Sequence, residues 1–273
     1  MSDPASRPED KAAQDAVLLS ASGVSKRFGG VQALLDVSLT IRRGEVYGLI
    51  GPNGAGKTSF FNVLTGLYSP DEGRVTFDGH DLPPGVPHRI AGAGIARTFQ
   101  NIRLFGAMSA LENVMVGRHI RLRTGVIGAI LRTPAARAEE AATEARAHEL
   151  LRYVGIDHLA NQQSTHLSYG DQRRLEIARA LASEPKLLAL DEPAAGMNAT
   201  ETAGLRTLIE KLRDDGLTVL LIEHDVKLVM GLCDRVAVLD YGEKIAEDVP
   251  DVVRRHPRVI TAYLGRQADP EAA

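Results

Sequence analysis

The stretch GPNGAGKT, at residues 51–58, directly follows the apolar run VYGLI at residues 46–50. An apolar run of this kind predicts a buried strand. After the loop, residues 60–67 read FFNVLTGL, which predicts a helix that ends near Gly66. A buried strand, a glycine-rich turn and a helix are the context that the pattern G-x-x-x-x-G-K-[ST] requires. The sequence therefore predicts a phosphate-binding loop between a strand and a helix.

Each residue type in this loop suits a bound phosphate. Glycines let backbone N–H groups turn inward into an anion-binding nest, and the following helix offers free N–H groups and the positive end of its dipole. Lys57 neutralises phosphate charge, and the hydroxyl of Thr58 is a ligand for Mg²⁺. The alternative is a chance glycine-rich turn. The predicted phosphate-contacting residues are Gly51, Pro52, Asn53, Gly54, Ala55, Gly56, Lys57, Thr58 and Ser59.

A second apolar strand, LLAL at residues 187–190, ends in two carboxylates, Asp191 and Glu192. In open α/β sheets, ligands bind beyond the carboxyl ends of the strands. We predict that Asp191 holds Mg²⁺, directly or through water, and that Glu192 polarises the attacking water. Taken alone, a strand that ends in two acidic residues also fits a solvated turn.

His224 follows another apolar strand, at residues 218–222, and precedes Asp225. Its functional interpretation is a contact to the γ-phosphate, because its strand ends at the same edge of the predicted sheet. The alternative is an incidental histidine beside a helix cap.

The stretch LSYGDQ, at residues 167–172, begins a helix, because Ser168 and Asp171 have the spacing of a capping box. Two interpretations stay open. One is an amphipathic helix capped by Ser168. The other is a second phosphate site at this helix N-terminus, formed with Ser168 and Gly170.

Buried strands alternate with helices along the chain, which predicts an α/β fold with a mostly parallel sheet. Residues 35–41 alternate apolar and polar side chains and predict a half-buried strand. From about residue 101 to 180 the pattern is helical, with helix starts at Ser109 and Thr133. Within this block, the apolar segment at residues 125–131 is either a core element or a surface contact.

Composition excludes several classes of protein. The 273 residues carry 32 Lys and Arg against 35 Asp and Glu, which excludes a basic protein held to nucleic acid mainly by phosphate contacts. The single cysteine, Cys233, cannot form an internal disulfide or a cysteine-rich zinc site, so a reducing cytoplasm is the simplest compartment. No apolar run approaches the ~18–20 residues that span a bilayer. Residues 1–15 predict a flexible polar tail rather than a signal peptide.

With these residues in this order, the chain resembles the ATP-binding subunits of ABC transporters over about residues 17–265. The resemblance is specific because it rests on an ordered set of motifs. The matching segments are Phe28 for the aromatic that stacks on adenine, residues 51–58 for Walker A, Gln100 for the Q-loop glutamine, residues 167–172 for the signature motif, Asp191 and Glu192 for Walker B, residues 194–198 for the D-loop and His224 for the switch histidine.

The resemblance implies an α/β P-loop NTPase core with a mostly parallel sheet, an antiparallel β region and an inserted helical subdomain. It also implies a domain organisation. The expected segments are a tail at residues 1–15, an ABC ATPase domain at residues 16–265 with its core at about 16–100 and 181–265 and its helical subdomain at about 101–180, and a tail at residues 266–273.

The resemblance further implies ATP and Mg²⁺ as cofactors and a separate role for each site residue. Gln100 is expected to reach Mg²⁺ and the attacking water, beside the base Glu192, and His224 to contact the γ-phosphate. Ser168 and Gly170 of a facing ATPase subunit are expected to close over the ATP that this chain holds. That second subunit is either a paralogue or another copy of this chain.

A narrower resemblance is to the ATPase subunits of branched-chain amino-acid importers. Its segments are RTFQNIRLF at residues 97–105, LSYGDQRRLEIAR at 167–179, residues 193–198 and AYLG at 262–265. It implies that the chain binds transmembrane permease subunits, acts indirectly with a substrate-binding protein and binds no nucleic acid. It also implies a peripheral position on the cytoplasmic face of the plasma membrane. The alternatives are the same motor for another cargo, such as urea, short amides or an exported lipid, and a soluble regulatory ABC ATPase.

Three residues depart from the general ABC pattern. Tyr169 stands where glycine is usual, Asp171 where glutamine is usual and Asn198 where aspartate is usual. Tyr169 and Asn198 suit the narrower subfamily. Asp171 brings a negative charge to a proposed phosphate site, and the alternative role for it is to cap the helix.

Overall fold

The computed structural model describes residues 16–122, 124 and 133–264. The predicted tails, at residues 1–15 and 266–273, and the apolar segment at residues 125–131 lie outside the described residues. Within the described ranges, no helix combines the length and the apolar character that a membrane crossing requires.

The chain divides into two compact units. Residues 16–93 and 212–264 belong to the first unit, and the described residues between 94 and 211 belong to the second. The domain boundaries expected from the sequence, at about residues 100 and 181, stay a prediction.

The strands, in chain order, are β1 Val17–Phe28, β2 Val31–Arg42, β3 Val46–Ile50, β4 Glu72–Phe77, β5 His80–Asp81, β6 Ile95–Arg97, β7 Leu187–Asp191, β8 Thr218–Ile222, β9 Arg235–Asp240 and β10 Glu243–Asp248. The α-helices are α1 Lys57–Leu64, α2 Pro87–Ala93, α3 Ala110–Gly117, α4 Pro134–Val154, α5 Tyr169–Leu181, α6 Ala199–Asp214, α7 Val226–Leu232, α8 Pro250–Val253 and α9 Pro257–Leu264. Short 3₁₀ helices lie at His119–Arg121, Asp157–Leu159 and Ser164–His166.

Parallel strands form the centre of the first unit. β3 pairs in parallel with β9 on one side and with β8 on the other, while β10 pairs antiparallel with β9. All residues of β3 and β8 are buried, as expected for parallel strands that are covered on both faces. The predicted parallel arrangement is therefore confirmed.

The first unit also contains an antiparallel sheet in the order β2–β1–β4–β5. This is the antiparallel region that the family resemblance implies. Its strand β2 follows the predicted alternation in part, because Val37, Leu39 and Ile41 are buried.

Leu35 departs from that alternation and is exposed. The register of β1 against β2 shifts at this point, between the pairs Val24–Val37 and Lys26–Leu34. A register shift of this kind adds a residue to one strand and interrupts the inward–outward alternation. The period-two pattern of the sequence cannot show such a bulge.

The second unit combines one parallel strand pair, β6 and β7, with the packed helices α3, α4 and α5. One face of α5 is apolar and buried, with Leu175 and Ala178 on the helix and Ala182 just after it. The inserted helical region of the expected fold is thus present.

Local capping residues start the helices of this unit where the sequence predicts. Ser109 Oγ accepts a 3.2 Å bond from Glu112 N, and Glu112 Oε2 accepts a 2.7 Å bond from Ser109 N, which completes the capping box. Thr133 Oγ1 accepts a 3.3 Å bond from Ala136 N, and Pro134 is the first residue of α4. In the first unit, α1 ends at Leu64, two residues before the predicted Gly66.

Candidate functional site

The predicted phosphate loop lies in the first unit, between β3 and α1. Phe60 and Phe61, both fully buried, anchor α1 in the core. Gly56 occupies the N-cap position, and no side chain caps the helix there. A helix N-terminus without a side-chain cap keeps free backbone N–H groups, which is what an anion-binding site requires.

Two glycines of the loop are required by their surroundings. A Cβ at Gly51 (φ +153°) would lie 2.2 Å from the carbonyl oxygen of Leu239, and a Cβ at Gly56 (φ +98°) would lie 2.6 Å from that of Ala33. Both distances are too short for any side chain, and both φ values favour glycine. The loop can take this shape only with glycine at these positions.

Lys57 is 7% exposed. Its Nζ donates to the carbonyl oxygens of Gly51 at 2.7 Å and Pro52 at 3.0 Å, so the ammonium group is held inside the curve of the loop. Among the other predicted contact residues of this loop, Asn53, Gly54 and Thr58 are exposed, Ser59 is half-buried and Ala55 is buried.

Phe28 is the last residue of β1 and is 41% exposed. It packs edge-to-face on Tyr68, with ring centroids 5.1 Å apart and an interplanar angle of 70°. Lys26 Nζ lies 5.6 Å from the centroid of the Phe28 ring. Phe28, the residue predicted to stack on adenine, thus packs against Tyr68, which belongs to none of the predicted motifs.

His224 follows β8, and its side chain is 58% exposed. Its backbone N–H donates a 3.2 Å bond to Glu223 Oε2, and Glu223 is fully buried. Asp225 Oδ1 caps α7 by accepting bonds from Lys227 N at 2.8 Å and Leu228 N at 3.2 Å. The capping role therefore belongs to Asp225, while the imidazole of His224 stands exposed at the end of its strand.

In the second unit, β7 ends at Asp191, which is 4% exposed. The guanidinium of Arg97, on the paired strand β6, lies 3.9 Å from Asp191 Oδ2. Burial lowers the pKa of Arg97, and the charge of Asp191 opposes that shift. The half-buried guanidinium of Arg97 is thus the cation beside the buried carboxylate of Asp191. Arg97 was not among the predicted site residues.

Glu192 adopts a φ of +45°, in the left-handed region that residues with side chains rarely occupy. Such conformations store strain and cluster at functional sites. Its Oε2 accepts a 2.9 Å hydrogen bond from Gln100 Nε2. The structure therefore brings together the predicted base and the predicted Q-loop glutamine.

Ser168 caps α5. Its Oγ accepts a 3.2 Å bond from Asp171 N and donates a 2.7 Å bond to Asp171 Oδ2. The cap is therefore Ser168, and the carboxylate of Asp171 contacts it only through the Ser168 hydroxyl. The capping role expected as the alternative for Asp171 stays a prediction. Gly170 is buried, and a Cβ there would lie 2.8 Å from Glu201 Oε1. The second phosphate site at this terminus stays a prediction.

Asn198 and Glu201 form a reciprocal cap at the start of α6. Glu201 N donates to Asn198 Oδ1 at 3.0 Å, and Asn198 N donates to Glu201 Oε2 at 2.9 Å. Asparagine and aspartate cap helices about equally well. The departure at Asn198 therefore leaves the local structure of the D-loop segment intact.

The predicted site residues divide between the two units. Those of the first unit are Phe28, residues 51–59 and His224; those of the second unit are Gln100, Ser168, Gly170, Asp191 and Glu192. Four further residues around these sites carry no motif signal in the sequence: Tyr68, Arg97, Arg173 and Glu176. Arg97, Arg173 and Glu176 lie within the two segments that resemble the branched-chain subfamily, at residues 97–105 and 167–179.

Two family profiles match the chain. The profile described as ABC transporter matches residues 34–195. The profile described as branched-chain amino acid ATP-binding cassette transporter matches residues 243–269.

Several curated proteins are similar over most of their length. The chain is 48% identical over 250 residues to the high-affinity branched-chain amino acid transport ATP-binding protein LivG of Salmonella typhimurium, covering 91% of this chain and 98% of the relative. It is 47% identical over 251 residues to the corresponding protein BraF of Pseudomonas aeruginosa, with the same coverage. A probable LivG of Archaeoglobus fulgidus is 35% identical over 253 residues, with coverage of 92% and 96%.

Solved structures of ATP-binding cassettes share the fold. A nucleotide-free cassette from an ABC transporter aligns with a TM-score of 0.79 and 32% identity, covering 90% of this chain and 98% of the other. A dimeric cassette in a post-hydrolysis state, bound to ADP and Pi, aligns with a TM-score of 0.72 and 27% identity, covering 85% and 99%.

Proposed function

The chain belongs to the ABC transporter family of ATP-binding proteins, and from that premise we propose that it powers the import of branched-chain amino acids. We infer this cargo from the match of residues 243–269 to the branched-chain profile and from the 48% identity to LivG. As a member of this family, the chain binds and hydrolyses ATP.

The phosphate loop is proposed to hold the nucleotide. Its donors suit a polyphosphate: the uncapped N-terminus of α1, the buried ammonium of Lys57 and the exposed hydroxyl of Thr58. Phe28 presents a half-exposed ring, which suits the flat face of adenine.

Mg²⁺ is proposed to bind through Thr58, Gln100 and Asp191. All three offer oxygen donors, which hard cations prefer. Among the described residues, no group of three or more His, Cys, Asp and Glu side chains could hold a metal. Mg²⁺ in nucleotide sites takes few protein ligands and completes its shell with phosphate oxygens and water. The ion supplies charge neutralisation at the phosphates.

Glu192 is proposed to accept the proton of the attacking water, with Gln100 orienting its carboxylate. His224 is proposed to contact the γ-phosphate through its exposed imidazole. Ser168 and Gly170 are proposed to close over the nucleotide of a facing ATPase subunit. Dimeric cassettes among the similar structures support pairing of two ATPase subunits.

The transport complex is proposed to contain permease subunits that supply the membrane span and a binding protein that delivers the amino acid. The chain is then peripheral, on the cytoplasmic face of the membrane. The names of its relatives, which are transport ATP-binding proteins, support this assignment.

The test is uptake of labelled leucine in a strain from which the gene is deleted. We expect uptake to be lost, restored by the wild-type chain and not restored by Glu192→Gln. The matched control is Glu210→Gln, which changes a half-buried carboxylate of α6 that pairs with Arg206 at 2.9 Å and is expected to restore uptake. Unchanged leucine uptake in a deletion strain without paralogues would contradict the cargo. Loss of urea or amide uptake instead would assign the motor to another cargo.

A further inference from the structure

We propose that Arg173 and Glu176, on α5, are positioning residues that hold the main chain around Gln100 and so place its side chain against Glu192. The proposal rests on the roles proposed above for Gln100 and Glu192. It adds two residues that lie outside the active-site motifs and act through a segment with no regular secondary structure.

Arg173 and Glu176 form a buried ion pair. Their side chains are 0% and 1% exposed, and Nη1 lies 2.7 Å from Oε2. Removing two charges from water is costly, and an apolar pair of similar volume often stabilises a fold as well or better. Arg173 Nε is also buried without a hydrogen-bond partner in the described part of the chain, which adds to the cost. Stability alone therefore does not explain this pair.

The pair makes its other hydrogen bonds mainly to the main chain on either side of Gln100. Arg173 donates from Nη1 to the carbonyl of Phe99 at 2.8 Å and from Nη2 to the carbonyl of Gln100 at 3.0 Å. Glu176 Oε1 accepts from Phe99 N at 3.2 Å and, at the limit of a hydrogen bond, from Arg103 N at 3.5 Å. Because this stretch belongs to no helix or strand, these side chains supply the partners that regular structure supplies elsewhere.

Further contacts fix the same segment. The guanidinium carbons of Arg97 and Arg103 each lie 4.6 Å from the centroid of the Phe99 ring. Arg173 Nη2 also reaches the hydroxyl of Tyr169 at 3.4 Å. One guanidinium thus contacts both the Gln100 segment and the residue after Ser168.

The anchored peptide carries the Gln100 side chain, whose Nε2 donates to Glu192 Oε2 at 2.9 Å. A shift of ~1 Å in a positioning contact can lower a rate by ~100-fold. Loosening the main chain around Gln100 should therefore affect turnover more than folding or nucleotide affinity.

The test is a double-mutant cycle on the full-length chain. We expect Arg173→Met combined with Glu176→Leu to lower kcat by ~10-fold and to leave KM for ATP within ~2-fold. Tm should fall by a few degrees, because the main-chain groups of Phe99 and Gln100 lose their side-chain partners. In a Gln100→Ala background, the same replacement should change kcat by less than ~2-fold, because the side chain that it positions is gone.

The matched control is Arg174→Met. Arg174 is the next residue on α5, is half-buried and donates to the carbonyl of Val154 at 2.8 Å, away from the Gln100 segment. We expect its kcat to equal that of the wild type. If the double replacement does not fold, Glu176→Gln enters the same cycle, because it keeps the volume and an acceptor and removes only the charge.

The positioning role is refuted if kcat falls equally in both backgrounds, or if it does not fall in the wild-type background. Those outcomes are distinct from failure of the proposed function. If Gln100→Ala itself leaves kcat unchanged, the role of Gln100 and the positioning proposal both fail. If Gln100→Ala lowers kcat and the double replacement does not, the positioning proposal alone is wrong.

Discussion

The side-chain amide of Gln100 donates a 2.9 Å hydrogen bond to the carboxylate of Glu192. The two residues follow the paired parallel strands β6 and β7, which end at the same edge. A glutamine at this point fixes the direction of the carboxylate without adding charge to it.

Replacing Glu192 by Gln should lower ATP turnover by ~10²–10⁴-fold, because an amide cannot accept the proton of the attacking water. Nucleotide binding should persist, and the variant should accumulate as an ATP-bound dimer. Phosphate release and size-exclusion chromatography measure the two effects. Normal turnover by the purified variant would rule out Glu192 as the base.

Lys57→Ala should abolish ATP binding, because it removes the ammonium group that lies inside the loop, 2.7 Å from the carbonyl of Gly51. Calorimetric titration with ATP measures this loss, and circular dichroism checks the fold. Lys211→Ala is the control, since Lys211 is exposed and its Nζ donates to the carbonyl of Tyr153 at 3.3 Å. Full affinity in Lys57→Ala would overturn the assignment of the phosphate loop.

Gly56→Ala should destabilise the protein more than Gly54→Ala. Both glycines have positive φ, so each substitution costs ~1–2 kcal/mol. Only at Gly56 does the new Cβ meet a carbonyl oxygen, at 2.6 Å, whereas nothing lies within 4 Å at Gly54. The clash should add ~1–3 kcal/mol. Urea unfolding of both variants measures the difference, and equal losses would contradict the close approach.

Ser168→Asp separates the two interpretations of the α5 N-terminus. Aspartate caps helices as well as serine, but it cannot donate to the Asp171 carboxylate as the Ser168 hydroxyl does, so Tm should fall by a few degrees while the helix start is kept. The added charge should repel a γ-phosphate, and turnover should fall by at least ~10-fold. Turnover equal to that of the wild type would leave Ser168 with its capping role alone.

Phe28→Ala should weaken ATP binding by ~5–150-fold, because stacking of a base on an aromatic ring is worth ~1–3 kcal/mol. Phe28→Tyr should retain affinity. Inorganic tripolyphosphate, which has no base, should bind the wild type and Phe28→Ala equally. Equal weakening of both ligands would show that the substitution disturbs the loop rather than an adenine contact.

The local features of the fold were predictable because each depends on a few neighbouring residues. The strand–loop–helix around residues 51–58, the capping box at Ser109 and the cap at Ser168 all follow from short-range hydrogen bonding. Gln100 was identified through family resemblance, since nothing in its neighbourhood marks it as a site residue.

The rest depends on contacts between residues that are far apart in the sequence. Tyr68, in the loop before β4, packs on Phe28 at the end of β1, and Arg173 on α5 reaches the carbonyl of Phe99. No periodic pattern or short motif encodes such pairs. The exposed Leu35 likewise depends on a register shift between two strands.

Because Glu192 has a left-handed backbone, at φ +45°, selection for stability and selection for turnover favour different residues at this position. Glycine or asparagine would relieve the strain at this position and make the chain more stable. Either would remove the carboxylate on which turnover is proposed to depend. Directed evolution for heat resistance alone should therefore favour inactive chains at this position, and only a simultaneous demand for transport should retain glutamate.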